Sequence, residues 1–155
     1  MTKPRRREPV PKELPALPGR AVARLAKRVE LALGFAELSL PQYRVLVLLA
    51  EGSAASSALA SRLAVRPPSI TALVDGLVAR EMVERRPDGQ DRRRIALLLT
   101  DKGRRVLADA DAAVGARLEE IAAHLEPHER ERAVDGLRLW HQALDSYRDA
   151  RVREA

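Results

Sequence analysis

Apolar side chains recur along this chain at steps of three and four over six stretches, and at steps of two over one short stretch. Val22, Leu25, Val29, Ala32 and Phe35 lie on one face of a helix starting near Arg20, with Gly34 near its end. Val45 through Leu49 is apolar all round, which predicts a central, buried helix. Leu59, Ala60 and Leu63 mark a short helix; Leu73, Val74, Leu77 and Val78 mark the next. Leu107, Val114, Leu118, Ile121 and Leu125 line a long fifth helix, and Ala133, Leu137, Trp140, Leu144 and Tyr147 line a sixth. Between the fourth and fifth, Ile95, Leu97 and Leu99 alternate, and Val83 to Arg86 offers a second short strand.

Punctuation between these stretches agrees with them. Ser39-Leu40-Pro41-Gln42 fits a capping box with proline in the first turn, and Glu51-Gly52 stops the helix it opens. Ser56 or Ser57 is expected to cap the third helix, and Pro67-Pro68 occupies the first turn of the fourth. Ala64-Val65-Arg66 joins these two helices as a tight turn, the signal of a helix-turn-helix. Pro87-Asp88-Gly89-Gln90-Asp91 then closes a hairpin, and Thr100 caps the fifth helix. A hairpin directly after a helix-turn-helix predicts a winged helix. The fold class expected is therefore mainly α with a small β-hairpin, an α+β winged helix-turn-helix flanked by N- and C-terminal helices. Those long helices carry more apolar stripe than so small a domain can cover, so a second copy of the chain is expected against them.

Charge divides the chain in a way periodicity does not. Residues 1–28 carry nine basic and two acidic side chains, net +7, and residues 80–105 carry nine and five, net +4. Residues 29–79 carry three and four, net −1; residues 106–155 carry seven and eleven, net −4. Positive charge gathered on an arm and on a hairpin points to a polyanionic partner. The arm, residues 1–19, holds five prolines and Arg5-Arg6-Arg7, too much proline for a regular element; it reads as a mobile basic tail, or as extra phosphate contact or packing against a partner subunit. With no cysteine, disulfides and thiolate metal sites are excluded. No apolar run reaches the roughly 18 residues of a membrane span and no signal-peptide core is present, so a cytoplasmic protein is expected. There is no Gly-rich phosphate loop, no Gly-x-Ser-x-Gly elbow and no metal-ligand spacing, so neither catalysis nor a cofactor is expected. His124, His128 and His141 fall among acidic residues, but Pro127 interrupts a shared face for the first two, and surface histidines are expected rather than a metal site.

Three segments resemble the MarR family of winged-helix transcriptional regulators. They are Leu38 to Leu46, Ser69-Ile70-Thr71 with Leu73-Val74-Asp75, and Asp91-Arg92-Arg93 followed by Leu99-Thr100-Asp101-Lys102-Gly103. The resemblance spans roughly residues 20–148. It implies a homodimer in which residues 20–37 and 104–150 interlock and residues 38–103 read double-stranded DNA. The recognition helix would enter the major groove, with the wing in the flanking minor groove. It further implies a repressor that leaves a pseudo-palindromic site when a small aromatic or phenolic effector binds between the two regions. The sequence departs from the family at Ala72 and Gly76, where relatives often carry arginines, at Glu81, where a helix-ending glycine is usual, and at Ala64, which replaces a turn glycine.

On this reading Arg93 inserts into the minor groove, with Arg92 and Arg94 flanking it on phosphates or also reaching the groove, and Asp91 buttresses the wing. Ser69 and Thr71 donate to phosphates or base edges, Arg66 meets a phosphate, and Pro68 and Ala72 make apolar contacts. Gly76 permits close backbone approach. Leu118, Ile121, Leu137, Trp140, Leu144 and Tyr147 are expected at the dimer interface, and no residue is assigned to the effector. Two other readings keep the same fold: a winged-helix module that binds an acidic protein, and a ligand-insensitive architectural DNA-binding protein.

Overall fold

In the computed structural model, which describes residues 16–52, 55–88 and 95–153, the elements follow the predicted order. Helix α1 (Ala16–Leu33) passes through a single 3-10 turn (Gly34–Ala36) to α2 (Leu40–Ala50), α3 (Ser56–Leu63) and α4 (Pro67–Ala79). Strands β1 (Val83–Pro87) and β2 (Ile95–Leu99) pair antiparallel, with Val83 opposite Leu99 and Pro87 opposite Ile95. Two long helices, α5 (Asp101–Ala122) and α6 (Pro127–Arg153), complete the order.

The first helix begins before the predicted Arg20 and includes Pro18. Proline is tolerated there because first-turn N–H groups have no partner within the helix. The capping box of α2 forms as expected: the Gln42 amide donates to Ser39 Oγ (3.3 Å), and the Ser39 amide donates to Gln42 Oε1 (3.0 Å). The cap expected at Ser56 or Ser57 does not form. Ala55 holds the N-cap position of α3 with no side-chain bond, and both serines lie inside the helix.

Three helix ends close alike. After the 3-10 turn the Leu38 amide reaches Leu33 O, after α3 the Val65 amide reaches Ala60 O, and after α4 the Met82 amide reaches Leu77 O, at 3.1, 3.1 and 2.9 Å. Each closure needs one left-handed residue. Those residues are Glu37, Ala64 and Glu81, with φ of 52°, 53° and 60°. Gly34, expected near the end of the first helix, directly follows its last residue and opens the 3-10 turn.

The core lies where α2 is enclosed. Val45, Leu46 and Leu49 of α2 are buried with Leu59 and Leu63 of α3, Ile70, Val74 and Leu77 of α4, and Val83 and Leu97 of the hairpin. Leu33, Leu107 and Ala110 carry this core onto α1 and α5. By contrast, α6 has no extended packing with any other element among the described residues. Val134, Leu139, Trp140, Leu144 and Tyr147 on it are each more than half exposed. No single helix among the described residues is long and apolar enough to cross a membrane.

Candidate nucleic-acid interface

The α3–α4 corner is set by three residues. Ala64 turns the chain left-handed, Val65 packs against the core, and Arg66 takes an extended N-cap conformation from which α4 starts on two prolines. Ile70, Val74 and Leu77 fasten α4 to the core, so its opposite side faces outward. The predicted contacts Arg66, Pro68, Ser69, Thr71 and Ala72 are all exposed and lie together at the N-terminal half of α4. That end carries the positive pole of the helix dipole, which suits a phosphate. Gly76 is placed differently from the sequence reading. It is half-buried, and a Cβ there would stand 3.7 Å from Gln42 Nε2 of α2. The site where relatives often have arginine therefore packs against α2 here.

Beside α4 stands the hairpin. Its base is held by Thr100, whose hydroxyl donates to Glu81 O at 2.7 Å and accepts from the Gly103 amide at 2.9 Å. Residue 103 must be glycine: a Cβ there would lie 2.0 Å from Met82 O. Thr100-x-x-Gly103 is thus a joint at which the hairpin root, β2 and α5 meet with no spare space. Asp101 adds charge at the start of α5, and the Arg104 guanidinium 2.7 Å away holds its carboxyl below the ordinary range. The predicted wing residues Asp91, Arg92, Arg93 and Arg94 lie outside the described residues.

One contact between the helix and the hairpin has no counterpart in the sequence reading. Arg85 of β1 reaches across to Asp75 of α4, Nη2 to Oδ1 at 2.5 Å. The spacing of the two residues carries no signal of their meeting; only the hairpin register, which turns Arg85 to the same side as buried Val83, brings them together. A second unpredicted contact ties the α2–α4 unit to α5: the Tyr43 hydroxyl donates to Asp111 Oδ1 at 2.5 Å. Partial burial, and then the Asp111 carboxylate, push the Tyr43 phenol well above its ordinary pKa.

Away from α4, four of the expected interface residues line a single apolar groove. Leu118, Ile121, Leu137 and Trp140, with Leu25 and Leu125, border a cavity of about 570 Å³ between α5 and α6. Leu144 and Tyr147 continue the exposed stripe along α6. A separate hollow of about 300 Å³ lies between the 3-10 turn and α5, lined by Phe35, Ala36, Val106, Asp109 and Ala113.

Known proteins share both the sequence pattern and this arrangement. The MarR family model matches residues 36–94. A helix-turn-helix-type transcriptional regulator of Mycobacterium bovis is 33% identical over 112 residues, spanning 72% of this chain and 78% of the relative. RV1404 of Mycobacterium tuberculosis superimposes with a TM-score of 0.70 at 26% identity, over 87% of this chain and 98% of that one. The transcriptional repressor CouR, solved on a 23-mer DNA duplex, superimposes at 0.67 with 27% identity, over 84% and 93%. CouR from Rhodococcus jostii, solved with p-coumaroyl-CoA, superimposes at 0.63 with 30% identity, over 78% and 86%. With a two-stranded wing seated on a Thr-x-x-Gly joint beside an outward-facing α4, this chain belongs to the MarR family of DNA-binding transcriptional regulators.

Proposed function

We propose that the protein acts as a homodimeric repressor that holds a pseudo-palindromic operator and leaves it when a small aromatic or phenolic molecule binds. The observation that carries the DNA-reading half is the outward face of α4, where Arg66, Pro68, Ser69, Thr71 and Ala72 stand together beside the hairpin. Arg93 enters the minor groove, Arg92 and Arg94 meet phosphates, and Asp91 braces the wing. In this division, residues 38–103 read DNA, residues 20–37 and 104–150 dimerise, and residues 1–19 add basic charge. Half-sites then lie about one helical turn apart. The hollow beside Phe35 supports effector release, because it lies between α5 and the 3-10 turn that leads into α2 and is large enough for a single aromatic ring system.

Titration of the full chain on duplex DNA at two salt concentrations tests this reading. Sub-micromolar, steeply salt-dependent binding is expected. Arg93→Ala is expected to weaken binding to most sequences and to lower the salt slope by about one counterion. Wild-type binding that is absent or insensitive to salt would sink the reading in favour of a protein partner.

A further inference from the structure

The exposed stripe of α4 contains no basic side chain. Pro68, Ala72, Asp75 and Ala79 follow at steps of four, three and four, which places them on one face, and all four are exposed. The centre of the surface offered to the major groove is therefore a carboxylate between small apolar neighbours.

A carboxylate facing DNA is repelled by phosphates unless something offsets it. Arg85 does so, through its bond to Asp75 Oδ1. As a strut alone the pair contributes little to stability, because both side chains are substantially exposed, 57% for Asp75 and 41% for Arg85. The bond also orients the carboxylate while leaving the Asp75 side chain more than half exposed. Ala72 and Ala79, a turn to either side, are too small to hold the helix away from the groove floor. A short side chain such as aspartate can then reach a base edge.

Resting on the DNA-binding reading above, we propose that Asp75 is a specificity-determining residue that reads cytosine. Its carboxylate accepts a hydrogen bond from the cytosine N4 amino group, the donor that a C·G pair presents in the major groove. The Arg85 guanidinium neutralises and aims it. Pro68, Ala72 and Ala79 supply apolar contacts on either side, suited to thymine methyl groups. Base discrimination thus comes from an acceptor and methyl contacts, without an arginine on guanine.

Selection of random duplexes by the full-length protein, followed by sequencing, tests this with wild type, Asp75→Asn and Asp75→Ala. Wild type is expected to enrich cytosine at one position of each half-site. Asp75→Asn is expected to exchange that cytosine for adenine, because an amide pairs with adenine N6 and N7. Asp75→Ala is expected to lose the preference there, with about a tenfold loss on the wild-type site and little change on random duplex. Unchanged base preference in both variants, however weak their binding, overturns the proposal and leaves Asp75 as a strut for Arg85. Failure of the wild type to enrich any duplex overturns the DNA-binding reading itself, and the proposal with it.

Discussion

At Ala64 the backbone reverses between α3 and α4 with φ of 53°, a conformation in which an L side chain crowds the following carbonyl. Glu81 holds the same conformation between α4 and β1. Its carboxylate pairs with Lys102 at 3.3 Å, but both side chains are exposed, so the pair offsets little of the cost. Ala64→Gly is expected to stabilise the fold by about 0.5–1 kcal/mol, the relief of strain exceeding the added freedom of the unfolded chain. Urea denaturation of the two proteins measures it; a destabilised variant would mean that the alanine methyl packs more usefully than its exposed position indicates. Both residues were visible in the sequence as departures from a glycine habit. Whether the turn would change or the strain would stay was not, because that is decided by the core on either side of the turn. Here Leu63, Ile70, Leu77 and Val83, all buried in one core on either side of the two turns, hold the left-handed residues in place.

Among elements, α2 is the hub, and Tyr43 is where it grips α5. The raised phenol pKa means that the folded chain holds this proton more tightly than the unfolded chain. The contribution is therefore complete below the ordinary tyrosine value of 10.0 and declines as pH rises beyond it. Thermal melts between pH 8 and pH 11 are expected to fall more steeply for wild type than for Tyr43→Phe, which has no phenol to ionise. Equal slopes would mean that the Tyr43–Asp111 bond does not couple folding to pH.

Helix order, the α2 capping box, the Thr100 cap and both strands were legible from local pattern, since each depends on residues within a few positions. The Tyr43–Asp111 and Asp75–Arg85 contacts were not, because they depend on how elements pack. The third helix shows a limit of local rules. Its serines looked like caps, but the position fell to Ala55, because burial of Leu59, Ala60 and Leu63 fixes the frame of so short a helix. Of the candidate interface, the α4 residues were named through the helix-turn-helix pattern and the family resemblance; that they face outward follows from the burial of Ile70, Val74 and Leu77.

For the whole molecule, the proposed homodimer rests on the exposed stripe of α6. An aromatic side chain such as Trp140 buries 150–250 Å² when covered, and here it is 69% exposed beside Leu144 and Tyr147. Trp140→Glu is expected to convert a dimer to a monomer in light scattering and to reduce operator affinity at least tenfold, with the helix content unchanged. A wild type that is already monomeric at micromolar concentration would contradict the proposed dimer.

The Gly103 joint bears on how such a molecule moves. With Met82 O seated where a Cβ would stand, there is no slack between the hairpin and α5, so the hairpin turns when the helix turns. Helix α5 has 22 residues and is about 33 Å long. A tilt of about 5° at its far end sweeps the hairpin root through about 3 Å, the thickness of one base pair. The paired strands then sit as a pointer on a long arm, and a change in the tilt of α5 carries their root with it without any break at the joint.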